Sequence, residues 1–137
     1  MRIAIMANKN KEGIKTLVPL LADMLEREEI HVSIDETLHS VLDRNHFFES
    51  MPELFEGKDM IVAFGGDGTI LYTARISEGY GIPILGVNLG KVGFLAEISP
   101  EEIHQIPQRL KQGDYEILNR MAFSIEFFGE RYFALND

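Results

Sequence analysis

The chain has no cysteine among its 137 residues. That excludes a disulfide framework and thiolate chemistry. Basic residues are few and scattered, 13 Lys and Arg against 22 Asp and Glu, for a formal net charge of −9. Nucleic-acid backbones are gripped by clustered Lys and Arg, so this balance argues against a nucleic-acid partner. Long apolar runs are missing too. No stretch is long enough to span a bilayer. The opening Met1-Arg2-Ile3-Ala4-Ile5-Met6-Ala7 is too short for a signal peptide and reads as a first strand. A soluble, cytoplasmic protein is the simple expectation. The sequence contains no internal repeat and no low-complexity linker.

What is present is an ordinary globular composition, 45% hydrophobic and 26% charged, in a chain long enough for one domain with a real core. Strand and helix patterns alternate. After the first strand and a polar turn from Asn8 to Gly13, Ile14, Leu17, Val18, Leu21, Met24 and Leu25 fall on one helical face. Pro19 predicts a kink there or a late helix start. Ile30 to Ile34 reads as a strand. Residues 36–58 read as a variable loop with a short helix near Pro52. Met60 to Phe64 is a further strand, and Ile70, Leu71 and Ala74 mark the apolar side of the helix that follows it. Ser99-Pro100-Glu101-Glu102 predicts a capped helix start, Pro107 threatens its middle, and Gly113 ends it. This alternation predicts an α/β domain over residues 1–113, an open parallel sheet with helices on both faces. The tail changes period. Met121, Phe123, Ile125 and Phe127 alternate with Ala122, Ser124 and Glu126, and a turn near Gly129 leads to a last strand. Residues 114–137 are expected to form a β-hairpin that packs on the α/β unit, pairs with another molecule or is poorly ordered.

One loop carries most of the chemical information. Gly65-Gly66-Asp67-Gly68-Thr69 follows the strand Met60–Phe64 and opens a helix expected to begin near Thr69. Such glycines let the backbone turn sharply and approach a ligand closely. The helix N-terminus behind them presents unpaired N–H groups and partial positive charge, which suits a phosphate. An acid beside bound phosphates has work to do, such as holding a metal ion or taking a proton from an attacking hydroxyl. A plain strand-to-helix turn with Asp67 as its cap explains Asp67 and one glycine, but not all three. The loop is neither a Walker loop nor a G-x-G-x-x-G dinucleotide turn.

The next strand, Pro83 to Val87, also ends in glycines: Asn88-Leu89-Gly90-Lys91-Val92-Gly93-Phe94-Leu95. In a parallel sheet both loops lie at the carboxyl ends of the strands, where ligands bind. Asn88 offers an amide and Phe94 a flat apolar surface, although core packing explains Phe94 equally well. Lys91 reads as a solvated loop lysine. His31, His39, His46 and His104 show no metal-ligand spacing, and no metal site held by protein side chains is expected.

Together these residues resemble the NAD kinase family. Gly65 to Thr69 matches its Gly-Gly-Asp-Gly-Thr loop. Gly86, Asn88, Gly90, Gly93, Phe94 and Leu95 match a more specific Gly-x-Asn-x-Gly-x-x-Gly-Phe-Leu segment. Asn136-Asp137 is similar to an Asn-Glu or Asn-Asp pair that ends a strand in the family. The resemblance implies a kinase that moves the terminal phosphate of ATP, or polyphosphate, to the 2′-hydroxyl of NAD, with Mg²⁺ accompanying ATP. It implies Asp67 as the catalytic acid group, and Gly66, Gly68 and Thr69 along the phosphates. Asn136 and Asp137 would hold the adenosine. Asp137 is one methylene shorter than the Glu of many members. The family continues into a β domain, so the hairpin would be the start of a truncated second domain and this fragment alone would be inactive. The expected partners are small-molecule nucleotides, with no nucleic acid and no membrane, and a homo-oligomer is expected of the full-length protein. Two alternatives stand beside this reading. One is a diacylglycerol- or sphingosine-type lipid kinase, which shares the first loop type but not the second. The other is a non-catalytic nucleotide-binding module.

Overall fold

The computed structural model describes residues 1–43, 45–91 and 93–135. Strand β1 (Arg2–Ala7) is followed by helix α1 (Ile14–Arg27), β2 (His31–Asp35), a 3₁₀ turn (Glu36–Ser40) and a two-residue β3 (Phe48–Glu49). Then come β4 (Met60–Gly65), α2 (Asp67–Ile76), β5 (Ile84–Asn88), a second 3₁₀ turn (Pro100–Gln105) and α3 (Ile106–Gln112). A separate antiparallel hairpin, β6 (Ala122–Phe127) and β7 (Glu130–Leu135), ends the described chain. The five-stranded sheet is parallel throughout, in the order β3-β2-β1-β4-β5. This is the expected α/β architecture.

Alternation along the strands sorts the core onto two faces. Ile3, Ile5, Val62 and Phe64 pack under α1 and α3, against Val18, Leu21, Leu25 and Ile106. Ala4, Met6 and Ile61 face Leu54 and Phe55, while Ala63 meets Ile70 of α2. Every residue of β4 is buried, as a central strand covered on both faces must be.

Local departures from the sequence reading have local causes. Helix α1 starts at Ile14 and runs through Pro19 rather than starting late. Proline does interrupt the third helix. Pro107 sits in the first turn of α3, where its missing N–H costs nothing, so the segment splits into a 3₁₀ turn and an α-helix. The capping role of Glu102 is as expected: its Oε2 accepts the Ser99 N–H at 2.9 Å and the Ser99 hydroxyl at 2.8 Å. On α2, Leu71 is exposed and Thr73 is buried in its stead. The Thr73 hydroxyl donates to the Thr69 carbonyl at 2.8 Å, which makes its burial tolerable. In the 36–58 region the short helix lies at Glu36–Ser40 rather than near Pro52, and β3 was not foreseen. The tail turn is the two residues Phe128-Gly129, with φ of 50° and 78°. That is the primed turn a right-twisted hairpin favours.

Candidate active site

Sheet order locates the site. The chain moves from β1 to β2 and β3 on one side, then crosses to β4 and β5 on the other. Ligands of open parallel sheets bind at the carboxyl ends of the strands where this reversal occurs, here between β1 and β4. Backbone bonds stitch three loops together there. The Asn8 N–H donates to the Phe64 carbonyl at 3.0 Å, and the Leu89 N–H donates to the Gly65 carbonyl at 2.8 Å. Because Gly65 lies in register with Asn88, the two glycine loops leave the sheet side by side.

The first loop starts α2 at Asp67, two residues before the expected start, with Gly66 as an extended N-cap. A Cβ on Gly65 would fall 2.1 Å from the Thr69 hydroxyl oxygen, so only glycine lets the helix turn back this tightly. Over Gly66 and Gly68, by contrast, an added Cβ would meet nothing within 4 Å. No side chain caps this helix end among the described residues. The Thr69 N–H donates back to the Gly66 carbonyl at 3.1 Å, so the N–H groups left for an anion at this helix start are those of Asp67 and Gly68.

Asp67 is the first helical residue, and it does not cap its own helix. Its carboxylate reaches across to the second loop, where Oδ2 accepts the Phe94 N–H at 2.9 Å. Oδ1 accepts the Leu95 N–H at 3.0 Å and the Ala96 N–H at 3.4 Å. The Phe94 and Leu95 N–H groups hold the Asp67 carboxyl below the usual aspartate range.

The second loop is shaped from within. Asn88 Oδ1 accepts the Gly90 N–H at 3.0 Å, and its Nδ2 donates to the Lys91 carbonyl at 2.9 Å. The Asn88 amide is therefore engaged in its own loop. The loop closes where Ile98 returns along β5, its N–H donating to the Gly86 carbonyl at 3.1 Å. Phe94 is 82% exposed beside this site, which removes the core-packing reading. Lys91 is exposed, as expected. Asn136, Asp137 and Val92 lie outside the described residues.

Lys11 is a residue that sequence reasoning missed. Its Nζ lies 3.7 Å from where a Cβ on Gly90 would stand, so it reaches from the β1–α1 turn toward the second glycine loop. Linear spacing gives no hint of this. Only the strand order brings the β1 turn beside β4 and β5. Linear spacing also conceals a grouping of Asp23, Glu26 and His46, whose ligand atoms all lie within 4.8 Å of one another. Asp23 and Glu26 are exposed and lie toward the C-terminal end of α1. A large groove also runs along the outer side of β5, lined by Ile84, Ile98, Ile117 and Leu118. Gly66, Asp67 and Gly68 are not part of its lining.

Known proteins resemble this chain in sequence and in fold. Residues 3–115 match the family model of the ATP-NAD kinase N-terminal domain. The chain belongs to the NAD kinase family. It is similar to an NAD kinase of Heliobacterium modesticaldum, 34% identical over 140 residues, covering 98% of this chain and 49% of that protein. An NAD kinase of Methanothermobacter thermautotrophicus is 33% identical over 138 residues, covering 100% of this chain and 48% of its own length. The chain thus spans about half the length of the curated relatives it matches. Among solved structures, an NAD kinase from Archaeoglobus fulgidus in complex with ATP superposes with a TM-score of 0.57 at 26% identity, over 90% of this chain and 41% of that one. Yeast NADH kinase complexed with NADH shares the fold, with a TM-score of 0.77 at 19% identity over 98% of this chain and 45% of that one.

Proposed function

We propose that this chain is the nucleotide-binding half of an NAD kinase that transfers the terminal phosphate of ATP, or of polyphosphate, to the 2′-hydroxyl of the adenosine ribose of NAD, giving NADP. The observation that carries the proposal is the meeting of two glycine loops at the β1–β4 reversal, in front of an uncapped helix end. Gly66, Gly68 and Thr69 line the phosphates. Asn88 shapes the second loop, and the exposed Phe94 offers its ring to a base. Asn136 and Asp137 hold the adenosine of NAD. Phosphoryl transfer asks chiefly for positioning and charge neutralisation, which preorganised N–H groups and a nearby lysine supply.

The donor set suits Mg²⁺ held mainly by phosphates and water. A carboxylate offers roughly four lone-pair positions. The Asp67 carboxylate already accepts from Phe94, Leu95 and Ala96, and what is left fits a cation whose other ligands come from the donor. When bound, the cation would neutralise charge on the β- and γ-phosphates.

Residues 114–137 form the start of a second, β-rich domain, and the half-length match to relatives supports this. The fragment alone is inactive, because the second wall of the site belongs to that domain. The full-length protein is a cytoplasmic homo-oligomer that binds small nucleotides, not nucleic acid or membrane. No helix among the described residues is long and apolar enough to cross a membrane. The test is NADP formation by the full-length gene product from NAD with ATP–Mg²⁺ or polyphosphate. No NADP with either donor would overturn the proposal, and phosphorylation of diacylglycerol instead would favour the lipid-kinase reading.

A further inference from the structure

Asp23, Glu26 and His46 form a group that the glycine loops leave unused. Each offers one ligand atom, and the three atoms all lie within 4.8 Å of one another. The fold makes this grouping. Asp23 and Glu26 are one helical turn apart near the end of α1, so their carboxylates share a face. His46 comes from the segment just before β3. The Ile34 N–H donates to the Phe47 carbonyl at 2.8 Å and joins that segment to the edge of β2. On either side of it, Leu42 and Phe48 pack into the same core as the buried face of α1.

Two observations separate this group from an ordinary exposed acidic patch. The first is the histidine. Its Nδ1 is buried and has no hydrogen-bond partner among the described residues. A buried nitrogen left unpaired has lost its water without compensation, so it calls for a partner. The second is the carboxylates. Neither Asp23 nor Glu26 takes part in a salt bridge among the described residues, although like charges one turn apart on a helix repel. A cation between the three would answer both. The donors name its chemistry. An imidazole nitrogen with two carboxylate oxygens suits Zn²⁺, whereas Mg²⁺ and Ca²⁺ prefer oxygen alone. Ligands on tetrahedral Zn²⁺ stand about 3.4 Å apart. Both acids are exposed, so rotation of their own side chains brings the oxygens to that spacing. An open groove lined by Arg2, Glu26, His31 and Phe47 gives a hydrated ion access and leaves the fourth position to water.

We propose that Asp23, Glu26 and His46 form a Zn²⁺ site that clasps the segment before β3 to helix α1. The site does not depend on the kinase reading. Helix α1 leads straight into the start of β2, whereas the glycine loops leave the carboxyl ends of β4 and β5. Ligands drawn from two segments couple metal binding to the order of the segment that carries His46.

The test uses the full-length gene product stripped of metal, with Zn²⁺ alone as the probe. The parent is compared with Asp23→Asn, Glu26→Gln and His46→Ala, and with Glu56→Gln as a control that removes an exposed acid outside the group. Zn²⁺ affinity by competition with a chelator, melting temperature with and without Zn²⁺, and amide exchange at 45–49 are read. The site requires one Zn²⁺ per chain to be lost in each ligand variant, or held at least about tenfold more weakly, since even outer-shell changes cost roughly 10–100-fold. Zn²⁺ should raise the parent's melting temperature and slow its exchange at 45–49, and should do neither in the ligand variants. Glu56→Gln should match the parent, and excess Mg²⁺ should not displace the Zn²⁺. Ligand variants that bind Zn²⁺ as the parent does would overturn the proposal. So would a Glu56→Gln loss equal to theirs, displacement by Mg²⁺, or exchange at 45–49 that Zn²⁺ leaves unchanged in the parent. If His46→Ala is less stable than the parent without metal, the two exposed acids decide the question.

Discussion

Strands β4 and β6 are each six residues long and mostly apolar, Met-Ile-Val-Ala-Phe-Gly against Ala-Phe-Ser-Ile-Glu-Phe, yet every residue of the first is buried and every residue of the second is exposed. The difference is one of neighbours. β4 lies between β1 and β5 with helices over both faces, whereas β6 has only β7 beside it. A lone two-stranded hairpin is marginal in water. One tie from this hairpin to the α/β unit among the described residues is a solvent-exposed pair, Arg131 Nη2 to Glu78 Oε1 at 3.0 Å, and such pairs contribute about 0–1 kcal/mol. Apolar residues make a strand, but only cover makes it part of a core. The buried core of the molecule is thus in the part that carries the glycine loops.

The same substitution on both strands sharpens this contrast most. Ile61 is fully buried and Ile125 is 55% exposed. Ile61→Ala should destabilise by about 2–5 kcal/mol, and Ile125→Ala should stay within about 0.5 kcal/mol, both read by urea denaturation. Equal losses would mean that the hairpin is covered after all. Next in size is Asp67→Asn, with its loss of activity on the order of 10²-fold at an almost unchanged melting temperature. A smaller effect belongs to Gly68→Val. The open space over Gly68 tolerates the side chain, but phosphates would be pushed from the N–H groups, so calorimetric titration with ATP should show binding weaker by about tenfold or more. Undiminished binding would put the ligand elsewhere. Lys11→Ala should weaken ATP binding to a lesser degree and with less salt dependence than in the parent, since it removes one point charge.

Acid gives the smallest effect of all. The Asp67 carboxyl is held below its ordinary range by the Phe94 and Leu95 N–H groups, so its contact with the second glycine loop is at full strength above the unfolded aspartate value. It is lost only as pH falls through the depressed folded value. A carboxyl-carbon NMR titration should therefore place the Asp67 inflection below that of an unfolded aspartate. An inflection at or above it would break the link between the two loops.

Much of this was legible in the sequence because its causes are local. The buried run Met60–Phe64, the Ser99–Glu102 cap and the glycines of both loops each act within a few residues. The family resemblance rested on the same short segments. What escaped depended on contacts between distant segments. Nothing near Asp67 announces that its carboxylate belongs to residues 94–96, and nothing near Lys11 announces Gly90. Leu71 and Thr73 exchanged places because the face α2 buries is set by the strands beneath it, not by its own apolar count. The two-residue β3 is too short for any period to register.

The most direct measurement is hydrogen–deuterium exchange of the full-length gene product with and without ATP–Mg²⁺. Protection concentrated in peptides covering 64–70 and 88–96, with the 8–13 turn, is the expected result for a phosphate site at the β1–β4 reversal. Protection along the outer edge of β5 with none at those loops would contradict it.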